Sequence, residues 1–367
     1  MLITEFVITE QCNLACTYCY MANKQGKFME REEVDLFIDK VGNIMKLYKQ
    51  EKYHISFFGG EPLLNWELIK YATPKFNADP RCHSVIIISN GLLLDEEKVK
   101  FIKDNNIGFS LSFDGLWQKE NRPLVSGKSS FDSYIEKKDL IKSLVNSSKC
   151  MVSPDNLDSL VENHIFLTQE YGFNTPDFSL VRDDIWSPED VINYDTQITK
   201  LADHCIQRIK DGRQEISALF GLYILDMVVG DQIGKRGWGC FAGKNGVGYG
   251  AEGIFYPCAR FASGDEYGLY DAKKEIWYKG NIAFLLHPKV TNPKEYPECQ
   301  NCELYNYCNA GCTYSEIKNG NGKRAVPIDG LCDVLKLTYR ECARIAVELK
   351  DVPLFKTIIE NMLRNSG

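Results

Sequence analysis

The chain has no apolar run approaching the roughly 20 residues that a bilayer-crossing helix needs, which excludes such a span. It has no basic stripe either. Lys and Arg number 43 against 50 Asp and Glu, and the net charge of -7 is spread along the sequence, which argues against nucleic acid as a partner. The opening Met1-Leu2-Ile3-Thr4-Glu5-Phe6 lacks the cationic start and apolar core of a signal peptide, so a reducing cytoplasm is the expected location. No internal repeat and no low-complexity tract is present. The length of 367 residues suggests about two domains, each able to bury a core, and rules out a small disulfide-stapled scaffold. Cysteine, by contrast, is plentiful: fourteen residues in a compartment that keeps thiols reduced require an explanation other than disulfides.

Up to about residue 212, short β-rich runs alternate with longer amphipathic stretches, the pattern of βα units on a parallel sheet. Six strands are expected: Ile3 to Thr9, Tyr53 to Phe58, Ser84 to Ser89, Gly108 to Phe113, Lys149 to Ser153 and Asp177 to Val181. Between the first two, Val34, Phe37, Ile38, Val41, Ile44 and Met45 recur at helical spacing and predict a helix covering the sheet. Asp95, Asp155 and Ser187-Pro188 read as helix N-terminal signals. A helical segment from Ile216 to Val229 then leads into Gly234 to Gly253, whose eight glycines read as tight loops or a hairpin. Beyond it lies a cysteine-dense region with no long periodic helix, which needs metal to fold, and Asp333 to Lys350 closes it as a helix with Leu335, Tyr339, Cys342, Ile345 and Leu349 on one face.

Cys12, Cys16 and Cys19 follow the first strand directly, in Cys12-Asn13-Leu14-Ala15-Cys16-Thr17-Tyr18-Cys19. Three thiolates in one loop can hold three irons of a cubane cluster and leave the fourth open, whereas a structural zinc site wants four ligands. On their own, the three could equally be a zinc loop or small buried apolar residues. The ends of the next strands carry Phe57-Phe58-Gly59-Gly60-Glu61-Pro62, Ser89-Asn90-Gly91 and Ser112-Phe113-Asp114-Gly115. In a parallel barrel these C-terminal strand ends converge on one pocket. His54, in the second strand, reads as a satisfied core or rim histidine.

The cysteine spacing, the aromatic before Cys19 and the three strand-end motifs together resemble the radical S-adenosylmethionine (SAM) superfamily. The resemblance implies a partial (β/α)6 barrel in which Cys12, Cys16 and Cys19 hold a 4Fe-4S cluster and SAM chelates the open iron. It further implies that the Gly59-Gly60 backbone and Glu61 meet the SAM amine, and that Ser89 and Asn90 serve the ribose or methionine portion. Ser112 and Asp114 would serve the ribose hydroxyls, Tyr18 the adenine and Arg122 the SAM carboxylate.

A second array follows. Twelve residues separate Cys240 from Gly253 and four separate Gly253 from Cys258, and then come Cys299, Cys302, Cys308, Cys312 and Cys332. In isolation such spacing also reads as a pair of zinc ribbons. Behind the first array it resembles the SPASM extension of peptide- and protein-modifying radical SAM enzymes. That resemblance implies two auxiliary 4Fe-4S clusters, one on Cys240, Cys258 and Cys312 and the other on Cys299, Cys302, Cys308 and Cys332, for three clusters in all. Cys82, Cys150, Cys205 and Cys342 fit no array and read as buried apolar residues.

Two departures bear on function. Relatives that complete the first auxiliary cluster do so with a cysteine shortly before Cys240, but Gly234-Lys235-Arg236-Gly237-Trp238-Gly239 contains none. Either Cys205 or Cys342 completes the cluster, or one iron is open to substrate. Anaerobic sulfatase maturases carry a proposed catalytic aspartate directly after the cysteine matching Cys258, where this chain has Ala259 followed by Arg260. The expected organisation is a barrel over residues 1–212, a bridging helix and linker over 213–237, a SPASM domain over 238–350 and a C-terminal helix or tail over 351–367. The function that the resemblance implies is reductive cleavage of SAM to a 5′-deoxyadenosyl radical, hydrogen abstraction from a ribosomally made precursor peptide, and an intramolecular thioether or carbon-carbon crosslink. The alternatives are a sulfatase maturase forming formylglycine and a multi-cluster electron carrier without SAM chemistry. A strand beginning at residue 3 leaves no room ahead of it for a leader-binding domain, so leader recognition is expected from a separate protein or another surface, and electrons from a flavodoxin- or ferredoxin-type reductant.

Overall fold

The computed structural model describes residues 1–21, 26–229, 240, 242, 245–262, 265–285, 297–305, 308, 311–322 and 326–365. These form two compact units that interleave in sequence. The first comprises residues 1–112, 118–145 and 240–291, and the second comprises 113–117, 146–239 and 292–367.

The first unit is built on a mixed sheet. Strands β1 (Leu2–Thr9), β2 (Tyr53–Gly59), β3 (Cys82–Ser89) and β4 (Gly108–Leu111) pair in parallel and in sequence order. The connections are helices α1 (Arg31–Leu47), α2 (Trp66–Ala78) and α3 (Glu96–Asp104), so this part is the expected βα succession. Asp95 caps α3 as expected, its carboxylate accepting the Lys98 amide at 2.8 Å. Val34, Phe37, Val41, Ile44 and Met45 of α1 are buried as their spacing predicts, while Ile38 is half-buried. The core between helices and sheet is largely aromatic. Phe6 of β1 meets Phe37 at 5.0 Å, Phe76 at 5.6 Å and Phe57 at 6.1 Å between ring centroids, mostly edge to face.

Sequence reasoning missed the other half of this sheet. The glycine-rich segment does form a hairpin, β7 (Gly246–Tyr249) with β8 (Ile254–Tyr256), but β7 also pairs in parallel with β1. The sheet then continues through β9 (Tyr270–Asp271) to β10 (Ile276–Trp277), giving the order β10-β9-β8-β7-β1-β2-β3-β4. The reason is visible at Gly248, where a Cβ would stand 2.6 Å from the Cys258 carbonyl carbon and oxygen. Missing side chains let the next turn lie directly on β7. Residues 234–239 and 243 of the same glycine-rich run fall outside the described residues.

In the second unit, β5 (Lys149–Val152) and β6 (Asp177–Leu180) form their own two-stranded parallel sheet. The helix-start reading at Asp155 is corrected here. Ser153 is the cap, in a reciprocal box with Asn156, and Asp155 lies inside the turn. Ser187 and Pro188 do begin a helix, Pro188–Lys210. Helix Leu331–Leu349 buries Leu335, Tyr339, Cys342, Ile345 and Leu349, the face expected from the sequence. Tyr194 and Thr338 join these two helices by a 2.8 Å hydrogen bond. Among the described residues no helix is long and apolar enough to cross a membrane.

Candidate active site

In the first unit the cysteine loop, Cys12 to Cys19, leaves the C-terminal end of β1 and is pinned along the segment 121–125. Ala15 donates its amide to the Pro123 carbonyl (2.8 Å), Thr17 to Asn121 (2.9 Å), and Val125 to Asn13 (3.2 Å). All three cysteines are half-buried. Tyr18, inside the loop, lies beneath the Arg122 guanidinium at 5.3 Å, a cation–π distance. Arg122 is 7% exposed, and its carbonyl accepts from Ser130, which in turn is held by Gln118. Two residues distant in sequence, each assigned to SAM by resemblance, are therefore neighbours.

The end of β2 packs against the same loop through backbone alone. Gly60 donates its amide to Thr9 (2.8 Å) and Glu61 to Gln11 (2.7 Å). A Cβ at Gly59, whose φ is +144°, would stand 2.2 Å from the Thr9 oxygen, and one at Gly60 would stand 2.1 Å from the Gln11 oxygen. Glycine is thus required by the β1 loop itself, in addition to any ligand, because only a side-chain-free backbone can approach that closely.

Glu61 is 1% exposed and organises the strand ends. Its Oε1 accepts from the Leu63 amide (2.9 Å) and the Ser89 hydroxyl (2.7 Å), and its Oε2 from the Asn90 amide (2.8 Å). Ser89 also accepts from the Gly91 amide at 2.9 Å. Asn90 Nδ2 donates to Asn13 Oδ1 at 2.7 Å and lies 4.0 Å from Cys12 Sγ. A continuous chain therefore runs from β2 through β3 to the first cysteine. Tyr134, which sequence reasoning missed, donates its hydroxyl to the Asn90 carbonyl at 2.5 Å, and the Ser112 amide donates to Ser89 at 2.8 Å. Burial pushes the Glu61 carboxyl up to about 7, against the pull of its three hydrogen bonds. His54 is satisfied as expected, with Ser84 at 2.7 Å and Ser56 at 3.1 Å.

Thiols gathered on one loop beside ordered strand ends form a donor set that fits a three-cysteine iron-sulfur cluster. Asn13 and Thr9 carry much of this order. Asn13 gave a signal in retrospect, adjacent to Cys12, whereas Tyr134 gave none. Cys258 lies in the same unit, on the turn that follows β8, and Cys240 is half-buried.

Asp114 belongs to the second unit. Its Oδ1 accepts from the Met151 amide at 3.0 Å and its carbonyl accepts from Asn163 Nδ2 at 2.9 Å. In that unit Cys299, Cys302, Cys308 and Cys332 line one cavity of about 590 Å³ including its open mouth, with Tyr305 and Lys336. Cys312 is not in this lining. Among the described residues no three metal-binding side chains meet closely enough to chelate a single ion, so these thiols surround a space rather than a point. Burial and the neighbouring Cys308 and Cys299 push the Cys332 thiol up to about 11, while Lys336 opposes the rise. Such thiols ionise when cations arrive, as metal-ligand thiols do. A group with four thiolate corners fits this lining.

Cys150, Cys205 and Cys342 are fully buried, as expected of apolar cysteines, but Cys82 is only half-buried. Cys205 Sγ lies 4.0 Å from His164 Nε2, and Cys342 Sγ lies 3.8 Å from the Phe220 carbonyl. Burial pushes the Cys205 thiol up to about 12 and the Cys342 thiol upward as well. The stretch 234–239, where a further ligand is missing from the sequence, lies outside the described residues.

Residues 6–167 match the radical SAM superfamily. The radical SAM cyclopropyl synthase TigE of Paramaledivibacter caminithermalis is 22% identical over 92% of this chain and 72% of its own. A cysteine-type anaerobic sulfatase-maturating enzyme of Clostridium perfringens is 24% identical over 82% of this chain and 85% of its own. Among solved structures, anSMEcpe with bound AdoMet superposes with a TM-score of 0.75 at 19% identity, covering 98% of both chains. Streptococcus suis SuiB bound to its precursor peptide SuiA gives 0.56 at 17% identity, over 90% of this chain and 75% of that one. At these identities the structures establish a shared α/β fold. Residues 6–167 thus form a radical SAM domain.

Proposed function

We propose that this protein is a radical SAM peptide maturase that installs an intramolecular crosslink, a thioether or a carbon-carbon bond, in a ribosomally made precursor peptide. The observation that carries the proposal is the hydrogen-bonded chain Glu61–Ser89–Asn90–Asn13, which orders three strand ends against Cys12. When bound, an iron-sulfur cluster and SAM supply one chemistry, reductive cleavage to a 5′-deoxyadenosyl radical that takes hydrogen from an unactivated C–H bond. Cys12, Cys16 and Cys19 are the ligands we assign to that cluster. Gly59, Gly60, Glu61, Ser89, Asn90, Ser112, Asp114, Tyr18 and Arg122 are the residues we assign to SAM.

Their environments divide these roles. Tyr18 and Arg122 offer a ring face and a guanidinium, suited to a base and a carboxylate. Glu61 and Ser89, with their polar atoms engaged inside the protein, hold the Gly59-Gly60 backbone and Asn90 in place, so their contribution is positioning. Cys299, Cys302, Cys308 and Cys332 are the ligands we assign to one auxiliary 4Fe-4S cluster, and Cys240, Cys258 and Cys312 to another. We assign the radical chemistry to residues 1–212 and the auxiliary clusters to 238–350, with 213–237 as bridge and 351–367 as closing helix.

A peptide substrate is supported by the likeness to SuiB, solved with its precursor peptide. A separate leader-recognition protein and a flavodoxin- or ferredoxin-type reductant complete the proposal, in a cytoplasmic setting. The second reading, a sulfatase maturase, is favoured by the likeness to the Clostridium perfringens enzyme over 82% of this chain. Ala259 stands against it, because a methyl group cannot take a proton where that reading needs a carboxylate. The test is incubation of the anaerobically reconstituted, reduced protein with SAM and with short peptides encoded beside its gene. A peptide that loses two hydrogens and gains an internal crosslink supports the first reading. Conversion of a sulfatase-type cysteine to formylglycine supports the second.

A further inference from the structure

Glu5 is the only charged residue among Leu2 to Thr9 of β1, a strand otherwise made of apolar residues and threonine. Strand register places it opposite Ser56 of β2 and Gly248 of β7. Its side chain is half-buried, and a carboxylate removed from water needs compensating donors. One such donor is the Ala259 amide, which Oε2 accepts at 2.7 Å. That amide opens the short turn Ala259–Phe261, for which Cys258 is the cap residue, and the first amides of a helical turn have no acceptor within it. Glu5 supplies that acceptor from 254 residues away in sequence.

Two further contacts seat the same turn. Gly248 lets the Cys258–Ala259 backbone lie against β7, since a Cβ there would stand 2.6 Å from the Cys258 carbonyl and 2.8 Å from the Ala259 nitrogen. On the other side, the Arg260 guanidinium sits over the Tyr20 ring at 4.7 Å, and Tyr20 directly follows Cys19. Strand β1, through Glu5, and the residue after the cysteine loop that it delivers, Tyr20, thus both contact the turn at Cys258.

We infer that Glu5 is a positioning residue that fixes Cys258 relative to the Cys12–Cys19 loop by accepting the Ala259 amide. The inference rests on the reading that Cys258 binds an auxiliary cluster, and it assigns a task to a residue that no strand-end motif includes. A glutamine retains a carbonyl acceptor at the same reach, an alanine retains none, and an aspartate keeps the charge but stops one methylene short.

The test uses the full-length, anaerobically reconstituted protein with Glu5→Gln, Glu5→Ala, Glu5→Asp and Cys258→Ala. Amide hydrogen exchange at Ala259 and the EPR spectrum of the auxiliary clusters are measured. Glu5→Ala and Glu5→Asp should speed exchange at Ala259 by roughly tenfold or more, the order expected for losing a hydrogen bond to a charged group, and change the spectrum. Glu5→Gln, which keeps a neutral acceptor, should speed exchange clearly less than Glu5→Ala and leave the spectrum near wild type. Unchanged exchange in Glu5→Ala, or equal losses in Glu5→Gln and Glu5→Ala, overturns the inference. If Cys258→Ala alters the spectrum and Glu5→Ala does not, Glu5 has no positioning role and the ligand reading stands. If Cys258→Ala leaves every cluster signal unchanged, the ligand reading fails, and the inference with it, even if exchange at Ala259 responds to Glu5.

Discussion

Replacing Glu61 by alanine removes the acceptor for three buried donors at once, the Leu63 and Asn90 amides and the Ser89 hydroxyl. Each orphaned donor costs about 1–3 kcal/mol, and water entering the vacated space recovers part of that. The expected destabilisation is about 3–5 kcal/mol, large against a typical total of about 5–15 kcal/mol. Glu61→Gln keeps one carbonyl for Leu63 and Ser89 but turns an NH2 toward the Asn90 amide, at a cost of about 1–2 kcal/mol. The two variants also differ in pH response. The folded-state value of about 7 lies above the ordinary 4.5, so the folded protein holds this proton longer than the unfolded chain. The group's contribution is therefore fully present below about 4.5 and falls, by up to about 3 kcal/mol, as pH rises through about 7. Glu61→Gln should remove that part of the slope. Urea denaturation of the reconstituted protein at pH 6 and pH 8 (about one unit either side of the folded value), followed by circular dichroism, measures both effects. A Glu61→Ala variant within about 1 kcal/mol of wild type, with SAM cleavage intact, would refute the role given to this carboxylate.

Gly60→Ala should abolish SAM cleavage while the protein still folds, because its Cβ would stand 2.1 Å from the Gln11 oxygen and the cysteine loop would have to move. Wild-type cleavage by this variant, assayed as 5′-deoxyadenosine by chromatography, would show that the close backbone approach is dispensable. Iron and sulfide analysis with Mössbauer spectroscopy should find iron close to three cubanes, since ten cysteines fit the two arrays. Stoichiometric zinc, or one cluster only, would contradict it. Cys205→Ala and Cys342→Ala, made separately, should each leave the auxiliary-cluster spectra unchanged, because both thiols are enclosed by the helices of the second unit. A cysteine-containing peptide should instead perturb the cluster assigned to Cys240, Cys258 and Cys312. A spectrum that changes with either substitution and not with the peptide would mean that one of those thiols completes the cluster.

Much of the first unit was legible because its signals are local. β1 to β4 lie within a residue or two of their expected bounds, since alternating runs of Ile, Val and Phe between capped helices leave little choice of register. Asp95 and Ser187 read correctly because a cap is decided by its own turn. Asp155 did not, because Ser153 stands two residues earlier with Asn156 to complete the box. β7 was illegible as a partner of β1, for Gly246-Val247-Gly248 carries no strand signal and its pairing is a long-range choice. At the site, the motifs were legible and the bonds between them were not. Glu61 and Ser89 read as ligand contacts from their motifs, yet only coordinates reveal that their oxygens face other protein atoms. Glu5 and Tyr134 carried no local signal for the same reason: each bonds to backbone atoms distant in sequence.

The central claim, that Cys12, Cys16 and Cys19 with the ordered strand ends form a SAM-cleaving site, is tested most directly by 5′-deoxyadenosine formation. Anaerobically reconstituted wild-type protein and a Cys12, Cys16, Cys19 triple-alanine variant are compared after reduction in the presence of SAM. The wild type should form 5′-deoxyadenosine and methionine in equal amounts. The triple variant should form none while keeping the spectra of its auxiliary clusters. No product from the fully loaded wild type, or product from the triple variant, would contradict the account.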